Sequence, residues 1–434
     1  MRRALVLFLV ACGTPSTPDP GEVPVTWEKD IKPLVTQSCA GCHVSTGIAP
    51  FALGTYEEVT MMAAASRAAI ESRRMPPYLA GRGCAEYVND ISLSDEQIAM
   101  FGKWVDDGMP KGTPGTSMQP LDVPQPGLTR VDRSLNFPAP YTVQEAPDDY
   151  RCFVLDWPET EDKYVTGFRV VPGNAKVVHH VIAYLAAPER VAAVMAEDAA
   201  DPGDGYRCFG GPGAGVREWI GAWAPGGVGS MYPADTGLLI PRGSKVVLQV
   251  HYNLQPGVAD KTDSTQIDLA LADTVKRRAV LFLWTNPDWV EGKGMQIPAF
   301  DADVQHAFAF DPTPYMGALT RGAIPSGVGV RLYSASIHQH LLGKSARFEI
   351  LRGDGVTKEC LLDIPRWDFH WQRSYGFKQG KVLRPGDRLS ITCRWDNSAE
   401  GQPTIAGVKQ TPKDVKWGEG TGDEMCLGVV YATQ

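Results

Sequence analysis

The chain of 434 residues has no basic excess: 42 Lys and Arg stand against 50 Asp and Glu, and no Lys/Arg cluster stands out. With a formal charge of −8, it lacks the electrostatic footprint that phosphate backbones require, so nucleic acid is not an expected partner. It offers no persuasive paired-carboxylate motif, which argues against an activity built on an acid–base dyad. Its N-terminal apolar run, Ala4 to Ala11, is far too short to span a bilayer. Histidine is scarce, with eight in the whole chain. What is present is a globular composition, 43% hydrophobic and 21% charged, in a chain too long for one core. Two to four domains are expected, and 45 Gly with 34 Pro suit a loop-rich, mainly β architecture.

Arg2 and Arg3 precede the short apolar run, which ends in Leu9-Val10-Ala11-Cys12. That ending resembles a bacterial lipobox, which implies that residues 1–12 form a lipoprotein-type signal and that Cys12 is lipidated. The alternative is a plain secretory signal cut nearby. Both readings export the protein, and the first anchors it to a membrane, at the outer membrane or in the periplasm of a Gram-negative bacterium. The Pro/Thr-rich residues 13–26 read as a tether. Export permits disulfides. Of nine cysteines, Cys12, Cys39 and Cys42 have other expected roles, and the remaining six allow 15 pairings.

Residues 27–112 read as a small all-α domain. Cys39-Ala40-Gly41-Cys42-His43 is the CxxCH attachment signature of c-type haem, in which two thiols bond the porphyrin and His43 is an axial iron ligand. By itself the motif also fits a redox dithiol or a zinc half-site. Trp27 to Ser38 is expected to lead as a helix. Thr55-x-x-Glu58 has the pattern of a capping box opening a helix through about Ser72, and Ser94-x-x-Gln97 opens another that stops at Gly108. Between them, Met75 in Arg74-Met75-Pro76-Pro77 is the expected sixth iron ligand, whereas Met61, Met62 and Met100 fall in helical patterns. The order of these features resembles class I cytochromes c, and implies one covalent haem c. Cys84 has no role on this reading.

Residues 113–140 are expected to be a Pro/Gly/Thr-rich linker. Beyond it, short apolar runs alternate with Gly/Pro turns: Lys176–Leu185, Gly237–Ile240, Lys245–His251, Gln266–Ala270, Ala279–Trp284, Gly329–Ile337, Ala346–Leu351, Arg388–Cys393 and Leu427–Tyr431. This pattern predicts two all-β sandwich or jelly-roll domains, at 141–288 and 289–434.

Five of the eight histidines fall in three strand-like motifs: His179-His180, Gln249-Val250-His251 and His338-Gln339-His340. Residues i and i+2 of a strand share a face, so His338 and His340 can converge on one ion. Adjacent His179 and His180 point to opposite faces and can share an ion only at a bulge or twist, or through different ring nitrogens. Imidazole suits copper, zinc, iron or nickel, and a thioether such as Met425 weights the choice toward copper. Taken singly, each motif is also compatible with ordinary packing or solvated side chains.

In combination, residues from about 141 to 434 resemble the copper type II, ascorbate-dependent monooxygenases, the family of peptidylglycine α-hydroxylating monooxygenase and dopamine β-monooxygenase. The resemblance implies two jelly-roll domains with one copper each, facing across a cleft. It assigns His179, His180 and His251 to an electron-transfer copper, and His338, His340 and Met425 to an oxygen-activating copper. It also implies Cys393–Cys426 and Cys152–Cys208 disulfides, leaving Cys360 and Cys84 without an assigned partner. Ser336 and Val429 stand where the peptide hydroxylase has the Arg and Tyr that hold its substrate carboxylate, so a peptidylglycine substrate is not expected. The expected activity is hydroxylation of a C–H bond of an unidentified organic substrate with O2. Electrons would come from the fused haem, from ascorbate or from a redox partner protein. Two rival readings are a non-catalytic copper-binding or electron-transfer lipoprotein and a surface carbohydrate- or partner-binding module.

Overall fold

The computed structural model describes residues 23–44, 49–115, 127–224, 227–254, 257–405, 407–418, 420 and 422–434. The expected signal, Cys12 and most of the tether lie outside the described residues. The described chain is mostly β-sheet, consistent with β-sandwich domains.

The described helices of the first hundred residues gather around one apolar cluster that includes Trp27, Ile31, Phe101 and Trp104. A short π-helix, Trp27–Ile31, runs into the α-helix Lys32–Ser38. Both expected capping boxes form: Thr55 and Glu58 exchange side-chain and backbone hydrogen bonds, as do Ser94 and Gln97. Each satisfies two otherwise orphaned N–H groups at a helix start. The helix expected through Ser72 is divided into Tyr56–Met61 and Ala63–Glu71, because Met62 leaves helical dihedrals at φ −102° and ψ 7°. The helix Asp95–Asp106 ends as expected at Gly108, whose φ of +81° a side chain would disfavour.

Every apolar run singled out above lies within or largely overlaps a strand. In the five-stranded sheet the order is Tyr206–Arg207, Asp148–Asp156, Lys245–Asn253, Val178–Ala186 and Glu218–Trp223, all antiparallel. Val246 to Tyr252 is buried without interruption, as a central strand covered on both faces must be. A nine-stranded sheet joins strands from the two halves of the β region. Its main path runs from Arg133–Asn136 through Gln266–Ala272, Lys163–Val171 and Thr236–Ile240 to Arg277–Trp284, Leu427–Thr433, Val330–His338 and Tyr375–Leu383. A four-stranded sheet, Val304–Phe310, Arg388–Trp395, Gly343–Leu351 and Lys358–Ile364, packs against its C-terminal half. Fully buried side chains such as Phe348, Ile391 and Leu248 contribute about 1.5–3 kcal/mol each by leaving water.

Three disulfides close the described chain. Cys152–Cys208 and Cys393–Cys426 form as the resemblance implies. The third, Cys84–Cys360, links residues 276 apart and answers what the sequence left open. Around it the Gly81 amide donates to Asp363, Tyr87 bridges to Phe377, and Tyr78, Tyr87 and Tyr375 pack together. The stretch after the CxxCH motif is thus bonded to the C-terminal strands, covalently and by backbone pairing.

Candidate metal centres

Val178–Ala186 and Lys245–Asn253 pair in register up to His180 opposite His251, but Tyr252 then faces Val178. His179 is the extra residue of a β-bulge, and the bulge re-aims its side chain toward its neighbour's. The three imidazoles consequently meet. His180 Nδ1 lies 3.3 Å from His179 Nδ1 and 3.2 Å from His251 Nδ1. On the far side of the His251 ring, Nε2 donates to Asp148 Oδ1 at 2.8 Å, and the Tyr150 ring stacks at 4.1 Å with an interplanar angle of 5°.

Because Asp148 takes the Nε2 proton, His251 presents a bare Nδ1 lone pair to the cluster. Burial works against charge on Asp148, but hydrogen bonds from His251 and Asn253 outweigh it and hold the carboxyl below its usual range. Burial, followed by the neighbouring His251, pushes His179 down to about 3 and His180 well below the ordinary imidazole value. Neutral, closely spaced lone pairs repel one another unless a cation lies among them, and neutral imidazole is a ligand for copper or zinc. The donor set therefore fits a metal ion. Among the described residues, His179, His180 and His251 are the cluster whose ligand atoms all lie within 4.8 Å of one another.

The second pair stands at the end of Val330–His338. The His338 and His340 rings are 5.0 Å apart. His338 Nδ1 bonds Gln372 Oε1 at 2.5 Å and His340 Nδ1 bonds the Asp423 carbonyl at 3.1 Å, so both rings are oriented through Nδ1. Burial, and then His338, lowers His340 to about 3, and burial lowers His338. Met425 is held nearby by a buried carboxylate. Glu424 accepts from the amides of His340, Leu342 and Met425 and from the Trp395 indole, tying the Met425 segment to the residues after the His-x-His. Burial pushes the Glu424 carboxyl up to about 7 against those four donors. The Cys393–Cys426 bond fixes the following residue. The Met425 side chain is 6% exposed and lines the same cavity as the two oriented imidazoles, and a thioether with imidazoles is a donor combination that suits copper.

His179 and His180 of the first cluster line one cavity of about 2160 Å³ together with His338, His340 and Met425, and the cavity also takes in Cys39, Cys42, His43 and Met75. Cys39 and Cys42 are free thiols, and burial pushes Cys39 up to about 11. His43 is 9% exposed and its Nδ1 bonds the Phe51 carbonyl at 3.0 Å. His306 and His370 stand outside the two ligand sets, although His370 lies 5.8 Å from His179.

The residues 137–258 match the N-terminal domain, and 316–432 the C-terminal domain, of copper type II ascorbate-dependent monooxygenases. The chain belongs to that family. Copper and ascorbate dependence fit the family. Among similar proteins, dopamine beta-hydroxylase of Canis lupus familiaris is 22% identical over 335 residues, covering 75% of this chain and 49% of the relative. DBH-like monooxygenase protein 1 of Mus musculus is 25% identical, covering 64% of this chain and 43% of the relative. Putative DBH-like monooxygenase protein 2 of Homo sapiens is 24% identical, covering 71% and 57%. The chain spans about half the length of these relatives.

Several residues that orient the site gave no signal in the sequence. Asp148 and Tyr150 lie on Asp148–Asp156, a strand whose charged start hides it. Gln372 lies in a loop, where no periodicity marks a functional position. Glu424 was visible beside Met425, but three of its four donors, the His340 and Leu342 amides and the Trp395 indole, come from distant segments.

Proposed function

We propose that the protein is a copper-dependent monooxygenase that hydroxylates a C–H bond of an organic substrate with O2. The observation that carries this reading is the convergence of three Nδ1 atoms at the His179 bulge, facing a second cluster of different donors in the same cavity. When bound, copper supplies one-electron redox chemistry at both positions and activation of O2 at the one with sulfur. His179, His180 and His251 would hold the electron-transfer ion, with Asp148 fixing the His251 tautomer. His338, His340 and Met425 would hold the oxygen-activating ion, with Gln372 and the Asp423 carbonyl turning Nε2 toward it. The absence of charge at Ser336 and Val429 supports a substrate other than a peptidyl carboxylate.

Residues 27–112 are read as a cytochrome c-like all-α domain in which Cys39 and Cys42 would hold haem c and His43 and Met75 would supply its iron ligands. When bound, that haem supplies single electrons at high effective concentration, alongside or in place of ascorbate. The shared cavity and the Cys84–Cys360 link favour this relay. Residues 141–288 and 289–434 are read as the two copper domains, and of the expected linker 113–140 the stretch Arg133–Asn136 is itself a strand of the nine-stranded sheet. The leader suggests an exported, lipid-anchored protein.

Copper-dependent O2 consumption, measured with ascorbate across a substrate panel, tests the activity. Two bound coppers without O2 consumption under any substrate would favour a non-catalytic electron-transfer protein. Rapid mixing of haem-reduced protein tests the relay, which fails if haem oxidation is no faster with copper than without.

A further inference from the structure

The loop between Lys358–Ile364 and Tyr375–Leu383 reaches both histidine clusters. Phe369 stacks on His179 with ring centroids 5.3 Å apart and an interplanar angle of 23°. The same ring meets His340 edge-on at 6.2 Å and 85°. One side chain therefore touches a proposed ligand of each copper.

The loop that carries the ring is held at three points. Gln372 Nε2 donates to the Phe369 carbonyl at 2.9 Å while its Oε1 takes His338 Nδ1. The Trp367 indole donates to the His340 carbonyl at 3.0 Å, and the Trp367 amide donates to Lys344. His370 packs edge-on against His179 and is itself bonded to Asp368. A half-buried phenylalanine in a loop has many places to lie, and ordering it costs rotamer freedom. Here its neighbours on both sides are the side chains proposed to hold metal.

We infer that Phe369 is the contact through which electrons pass between the two metal sites. The inference rests on the copper reading above. One electron leaves Cu(I) at His179/His180/His251, which becomes Cu(II). It arrives at Cu(II) held by His338, His340 and Met425, which becomes Cu(I). The ring gains and loses no proton and is not itself oxidised. It links His179, on which it stacks, to His340, which it meets edge-on. Phe369 is thus a positioning residue for electron transfer, distinct from any residue that touches substrate.

The experiment uses the full-length protein loaded with Cu(II), as wild type, Phe369→Leu and Phe369→Tyr. Copper is counted first, and the two Cu(II) signals are recorded by EPR. A radiolytic pulse then delivers less than one electron per chain, and its redistribution between the sites is followed by freeze-quench EPR. Phe369→Leu is expected to bind two coppers with wild-type EPR spectra and to lose the fast phase of redistribution, while Phe369→Tyr retains it. Equal rates in wild type and Phe369→Leu would overturn the inference. Loss of copper from the leucine variant alone would also overturn it, because the ring would then be a prop for His179. A wild-type protein binding fewer than two coppers would instead refute the copper reading itself, and the bridge with it.

Discussion

Replacing Asp148 by Ala should weaken one copper site and spare the other. The Asp148 side chain is 20% exposed and its His251 partner 1% exposed, so their 2.8 Å bond is poorly screened by solvent. A hydrogen bond to a charged group in such a setting contributes about 1.5–3 kcal/mol. Here it fixes which His251 nitrogen keeps its lone pair. If that whole contribution is felt in metal binding, affinity falls roughly 10- to 150-fold, which agrees with the roughly 10–100-fold cost of removing a partner behind a ligating histidine. The assay is competition for copper against a chromophoric chelator, monitored with EPR to identify the site being emptied. Asp148→Ala should release one equivalent at chelator concentrations that leave wild type fully loaded, while the signal of the His338/His340/Met425 site stays unchanged. Asp148→Asn keeps an acceptor oxygen and should fall between the two. Unchanged affinity in Asp148→Ala would refute the tautomer argument. Loss of both coppers would show that Asp148 supports the fold instead.

Removing the Cys393–Cys426 bond with a double alanine variant opens a loop of 33 residues, for which chain entropy suggests a loss of about 3–4 kcal/mol, read as a lowered urea midpoint. The same variant should show weakened sulfur scattering in X-ray absorption of bound copper, because Met425 loses its anchor. Burial opposes charge on Asp387, yet hydrogen bonds from the Arg384 and Gly353 amides and from Arg352 outweigh it and hold the carboxyl below its usual range. A lowered folded-state value means the stabilisation is complete above the unfolded carboxyl value of about 3.9 and fades as pH falls through the lower folded value. The stability gap between wild type and Asp387→Asn should therefore be widest near neutrality and shrink below about pH 4, measured by urea unfolding at several pH values. Gln372→Leu should lower affinity at the His338/His340/Met425 site about 10–100-fold, by removing the acceptor that orients His338, with the all-histidine site as internal control in the same chelator competition.

The strands were legible where burial on both faces writes an unbroken apolar run, as in Lys245–Asn253, and where turns bracket it. Asp148–Asp156, Lys163–Val171 and Tyr375–Leu383 were not, because interleaved charged or small residues blur their period. Both capping boxes were readable because their chemistry is local, whereas Cys84–Cys360 joins residues with no local signal at all. The site shows the same division. The histidine motifs stood out by residue type and spacing, their grouping with Met425 into two ligand sets was implied by the family resemblance, and a bulge was named as one condition under which His179 and His180 could act together. Which strand would supply that bulge depended on its pairing with His251, a long-range fact. Phe369 and Gln372 come from a loop whose conformation is set by what it packs against, so their parts became visible only in three dimensions.

The account stands on two unlike metal sites in one cavity. X-ray absorption and EPR of the copper-loaded full-length protein, with metal counted per chain, test that directly. Two coppers are predicted, one coordinated by nitrogen from three imidazoles and the other by two imidazoles with a sulfur neighbour. Removal of the sulfur signal by Met425→Leu, with the first site intact, would complete the assignment. A single copper, or two without any sulfur ligand, would contradict it.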